Sequence, residues 1–95
     1  MHRDHPVNDF ASVVDADTQF IDVREPSEVA EGTLPGTVNI PLGDLPERVG
    51  ELDPAQPVVV LCRSGGRSTQ ACEFLTASGF TDVVNLEGGM LAMEG

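Results

Sequence analysis

Apolar residues occur in short bursts along the chain, and the spacing inside each burst predicts its element. Phe10, Val13 and Val14 share one face of a short helix over residues 9–14, with Asn8 as its N-cap. Phe20-Ile21-Asp22-Val23 reads as a buried strand, followed by a helix that Pro26 opens and Gly32 closes. Leu34-Pro35-Gly36 is a turn and Val38-Asn39-Ile40 a short strand stopped by Pro41. Leu45, Val49 and Leu52 lie at helical spacing within residues 42–52, with Pro46 in the first turn. The continuous β-branched run Val58-Val59-Val60-Leu61 is the strongest strand signal and has the look of a central parallel strand. A helix over 67–78 ends at Gly79, Val83-Val84-Asn85-Leu86 forms the last strand, and Gly88-Gly89 opens a final helical turn over 90–94. Strands alternate with helices and no hairpin signal joins them. The expected fold is therefore α/β, a mostly parallel central sheet with helices on both faces.

The 95 residues allow one domain, placed at residues 8–95, preceded by a polar and frayed tail over residues 1–7. His2 and His5 belong to that tail, and the chain supplies no further ligands to make them a metal site. The longest apolar run, Val58 to Cys62, is five residues, far below the ~20 that span a membrane. No basic stretch followed by an apolar one opens the chain, so a cytoplasmic location is expected. The net charge of −11 speaks against nucleic acid as a partner. All five cationic residues are Arg, and two of them fall between Cys62 and Arg67.

The two cysteines, Cys62 and Cys72, flank the start of a helix. At 1.5 Å per residue they stand ~9 Å apart along its axis. A disulfide needs Cα atoms within ~7 Å, so none is expected between them. Cys72 shares a helical face with Leu75 and reads as core.

The chemistry concentrates in Leu61-Cys62-Arg63-Ser64-Gly65-Gly66-Arg67-Ser68. A buried strand ends at a cysteine, two glycines turn the backbone, and a helix begins at once. Ligands of open α/β sheets bind beyond the carboxyl ends of strands, often at helix N-termini. Loop N–H groups, the helix dipole and two arginines all favour a thiolate there, which makes Cys62 the candidate nucleophile. A cysteine closing an apolar strand is by itself an ordinary small hydrophobe. The surrounding anion cradle is what such a residue would not need.

The loop CRSGGRS resembles the active-site loop of single-domain rhodaneses, the thiosulfate sulfurtransferase family. Ile21-Asp22-Val23-Arg24-Glu25-Pro26, Leu34-Pro35-Gly36 with Val38-Asn39-Ile40-Pro41, and Asn85-Leu86-Glu87-Gly88-Gly89 resemble three more of its motifs, in order, from about Phe20 to Ala92. The resemblance implies a sulfurtransferase that carries sulfur as a persulfide on Cys62. It implies Arg63, Ser64, Gly65, Gly66, Arg67 and Ser68 around the substrate, and Asp22 and Arg24 as organisers behind the loop. Which of Arg63 and Arg67 faces the substrate stays open, as does whether Ser68 bonds the persulfide or caps the helix. No metal or organic cofactor is implied. The partners are a small anionic donor such as thiosulfate and a sulfur-donor or acceptor protein.

Thr33 stands where members often have His, Met93 where they have an aromatic residue, and Gly95 ends the chain earlier than in many of them. Their N-terminal strand has no visible counterpart. Two other functions compete. One is a relay module serving a protein partner. The other is a phosphatase or arsenate reductase on the same fold, whose loop places five residues between Cys and Arg where this one places four.

Overall fold

The computed structural model describes residues 2–94, so the chain end at Gly95 lies outside the described residues. Five parallel strands form one sheet: β1 (Arg3–Pro6), β2 (Gln19–Asp22), β3 (Val38–Asn39), β4 (Val58–Leu61) and β5 (Val83–Glu87). They lie in the order β1-β5-β4-β2-β3, which puts the all-apolar β4 in the middle. Helices α1 (Pro26–Val29), α2 (Leu45–Arg48), α3 (Gly66–Ala77) and α4 (Gly89–Glu94) connect or follow the strands.

The two-residue period of a strand splits the core into two layers. Val58, Val60 and Cys62 share one layer with Ala71, Cys72 and Leu75 of α3 and with Phe80. Val59 and Leu61 face the other way, against Val7, Phe20, Val84 and Leu86, with Met90, Ala92 and Met93 of α4 packed on them. Phe10 and Phe20 stack in that second layer with centroids 6.0 Å apart. Met93, in the place of an aromatic side chain, still helps to seat α4.

The frayed tail expected at residues 1–7 is a correction. Residues Arg3–Pro6 are strand β1, paired with β5 from Arg3 opposite Val84 to Pro6 opposite Glu87. The side chains are polar, so no apolar period announces the strand. Side-chain bonds fasten it: Arg3 donates to Asp82 at 2.9 Å, and Asp4 accepts from Asn85 at 2.9 Å. Pro6, which has no N–H, is tolerated because the strand is an edge.

The helix expected over 9–14 is a 3-10 helix, Val7–Ser12, and Pro6 rather than Asn8 precedes it. The helix expected over 42–52 breaks into a 3-10 turn (Leu42–Asp44), α2 and another 3-10 turn (Val49–Glu51). Pro46 does sit in the first turn of α2. Buried Leu45, with Leu42, Val49 and Leu52 packed alongside, holds this segment to the α3 layer.

Candidate active site

Cys62 follows the last residue of β4 and is 1% exposed. Because it continues the Val58/Val60 face, its side chain turns under the start of α3 rather than away from it. The next three residues carry the chain round. Gly65 is the N-cap of α3 at φ +107°, a conformation that only glycine adopts without strain. The turn brings the Gly65 N–H to 2.9 Å from Cys62 Sγ. Sγ thus receives a main-chain donor at the positive end of a 12-residue helix.

Ser68, wholly buried in the first turn of α3, lies 3.2 Å from Sγ through its Oγ. The same Oγ bonds the Asn85 side chain of β5 and lies 3.1 Å from the Gly65 carbonyl. Ser64 on the loop and Gly66 at the start of α3 lie exposed.

The two arginines take different posts. Arg67 donates to both carboxylate oxygens of Glu28 in α1, at 2.6 and 2.8 Å. The Arg67 guanidinium, helped by the Glu25 backbone, holds the Glu28 carboxyl down at about 2. Arg63 is exposed and lines a cavity of about 360 Å³ with Arg24, Glu28, Glu31, Gly32 and Met90. Among the described residues, Arg24 and Arg67 are paired with carboxylates, and Arg63 is the cavity's arginine outside those pairs.

Asp22 and Arg24 form a buried ion pair behind the loop. Arg24 gives Nη2 to Asp22 Oδ2 at 2.8 Å and Nε to Oδ1 at 3.0 Å, and these hydrogen bonds to the Asp22 carboxylate raise the Arg24 pKa. A buried pair of this kind holds only while its other lone pairs are satisfied. Thr33, in the place of His, meets that need by donating to Asp22 Oδ2 at 2.7 Å. Asn39 Nδ2 bonds the carbonyls of both Asp22 and Arg24 at 2.9 Å.

A support that the sequence did not single out comes from the last motif. Met90 N–H bonds the Cys62 carbonyl and Leu91 N–H the Arg63 carbonyl, each at 2.9 Å. This approach works because residue 89 is glycine at φ +58°; a Cβ there would overlap the carbonyl oxygens of Cys62 and Arg63. Cys72 is buried on the inward face of α3, and burial pushes its thiol up to about 12. Both cysteines are free. Among the described residues, no three His, Cys, Asp or Glu side chains gather to hold a metal ion, and no helix is long and apolar enough to cross a membrane.

The profile of the rhodanese-like domain matches residues 7–95. The chain belongs to the rhodanese-like family. YtwF of Bacillus subtilis is 49% identical over 81 residues, covering 85% of this chain and 78% of that one. A protein named sulfurtransferase from Allochromatium vinosum is 41% identical over 76 residues, covering 80% and 71%. The crystal structure of a rhodanese-related protein from Thermoplasma volcanium superposes with a TM-score of 0.85 at 33% identity, covering 98% and 93% of the two chains. Homology to rhodanese-like sulfurtransferases supports a sulfurtransferase role for this chain as well.

Proposed function

We propose that this rhodanese domain moves a sulfane sulfur from thiosulfate or a persulfide donor to a thiophilic acceptor through a Cys62 persulfide. The observation that carries the reading is the Gly65 N–H at 2.9 Å from Cys62 Sγ, at the head of α3. The Cys62 thiolate attacks the outer sulfur of thiosulfate, forming a new S–S bond. The old S–S bond breaks, and sulfite leaves with its electron pair. The terminal persulfide sulfur carries the negative charge into the loop, where main-chain donors and Arg63 offset it. A nucleophile such as cyanide or a thiol then takes the outer sulfur and regenerates the thiolate. The chemistry requires Cys62 to stay reduced between turnovers, which suits a cytoplasmic setting.

A second reading, sulfur relay to or from a partner protein, uses the same persulfide. The net charge of −11 favours it, since an acidic surface attracts a basic protein and repels an anionic small donor.

Intact mass after incubation with thiosulfate tests the proposal. One added sulfur is expected on Cys62, absent from Cys62→Ala and discharged by cyanide. A protein left unmodified by thiosulfate but loaded by a protein persulfide would favour the relay. Rapid hydrolysis of an aryl phosphate without sulfur loading would overturn both.

A further inference from the structure

Behind Cys62 runs a line of polar side chains that starts on the edge strand β1. Asp4 Oδ1 accepts from Asn85 Nδ2 at 2.9 Å, the Asn85 amide bonds Ser68 Oγ, and Ser68 Oγ lies 3.2 Å from Cys62 Sγ. Asn85 and Ser68 are 4% and 0% exposed, so water does not substitute for these partners.

Donor and acceptor chemistry fixes the direction of the line. A carboxylate accepts only, so the NH₂ end of Asn85 must face Asp4 and its Oδ1 must face Ser68. Thr69 Oγ1, 3.5 Å from Nδ2, adds to the same orientation. Ser68 has one hydroxyl proton. The Gly65 carbonyl already accepts from Thr69 Oγ1 at 2.6 Å and Thr69 N–H at 3.1 Å, so the Ser68 proton goes to Asn85 Oδ1. What Ser68 then turns toward Cys62 is a lone pair. A lone pair accepts the proton of a thiol and opposes a thiolate.

From α3, Arg67 and Cys72 are the other ionisable groups near Cys62. Just before β1, His2 stands 3.5 Å from the Asp4 carboxylate. None of them competes for the Ser68 proton.

We infer that Asp4 and Asn85 are positioning residues that draw the Ser68 hydroxyl proton away from Cys62, and that Cys62 gains that hydrogen bond when the hydroxyl turns round. The inference rests on Cys62 being the nucleophile, and it deepens that reading by assigning a restraint on its ionisation. When Cys62 loses its proton to solvent, the Ser68 hydroxyl rotates from Asn85 Oδ1 to Sγ. The exchange costs the Asn85 bond and gains a bond to a charged sulfur.

The test is the pH dependence of iodoacetamide alkylation of Cys62 in the full chain, followed by intact mass. Asn85→Leu removes the competing acceptor without changing charge. The midpoint is expected to fall by about one pH unit, as one hydrogen bond to a charged group would give. Asp4→Asn, at a half-exposed position, releases the amide to turn its NH₂ toward Ser68 and should lower the midpoint by a smaller amount. In a Ser68→Ala background, Asp4→Asn should have no effect. Midpoints unmoved or raised in Asn85→Leu and Asp4→Asn would overturn the inference. So would an Asp4→Asn shift that persists without Ser68, since that is simple charge repulsion. Sulfur loading by thiosulfate, measured on the same wild-type protein, reports separately on Cys62 as a carrier.

Discussion

Arg67 spends its charge on Glu28, 39 residues earlier in the chain, through two parallel bonds of 2.6 and 2.8 Å. The pair joins α3 to α1 across the mouth of the site, and it makes an arginine that lies inside the active loop a clamp first. A planar guanidinium matches a carboxylate in this way and an ammonium does not. Among the described residues, the cavity beside the loop consequently has Arg63 as its arginine outside such pairs.

The clamp predicts an acid-sensitive step. The Glu28 carboxyl sits at about 2 when folded against an ordinary 4.5. The lowered value means that its stabilisation is complete above about 4.5 and disappears as pH falls toward about 2. Thermal unfolding followed between those values should show wild type losing its advantage over Glu28→Gln. At neutral pH the difference should be about 1 kcal/mol or less, because both partners are about one-third exposed or less and remain partly solvated.

Arg63→Ala should raise KM for thiosulfate about tenfold, a loss of about 1.4 kcal/mol, with a smaller change in kcat. Steady-state kinetics at two salt concentrations checks this, and the variant should show the weaker salt dependence. Equal loss in kcat and kcat/KM would instead place Arg63 on the transition state.

Labelling should separate the two cysteines. Cys72 is buried with its thiol raised to about 12, so native protein at neutral pH should take one alkyl group, on Cys62. Denatured protein should take two. Cys72→Ser should keep sulfur loading, and Cys62→Ser should lose it.

Gly89→Ala should destabilise the fold by about 3 kcal/mol or more, because the new methyl meets main-chain carbonyls that cannot step aside. Denaturant unfolding measures the loss. Sulfur loading should fall with it even at low temperature, since the displaced carbonyls belong to Cys62 and Arg63.

Much of this was legible in the sequence because the relevant signals are local. The β-branched run before Cys62, the glycines after it and the apolar period of the following residues locate β4, the loop and α3 within a residue or so. Strand β1 was illegible for a physical reason. Arg3-Asp4-His5-Pro6 carries no apolar face, and its pairing depends on a strand some 80 residues away. The partners of the loop residues were hidden in the same manner. Glu28, Asn85 and Gly89 lie 39, 17 and 27 positions from the residues they touch, Arg67, Ser68 and Cys62, and their types alone point nowhere. Thr33 was visible as a departure, but its hydrogen bond to Asp22 needed coordinates to be seen.

Because all five strands run the same way, the molecule has two unlike ends. The candidate site lies at the end where Asp22, Leu61 and Glu87 finish their strands. Gln19 begins β2 at the opposite end, where its side chain laces the 53–56 connector through bonds of 2.9 and 2.7 Å. At about 3.3 Å per residue the four residues of β4 put roughly 13 Å of packed sheet between the two ends. The far end is thus the natural handle of the domain, the place to attach a fluorophore or tether while leaving the thiol undisturbed.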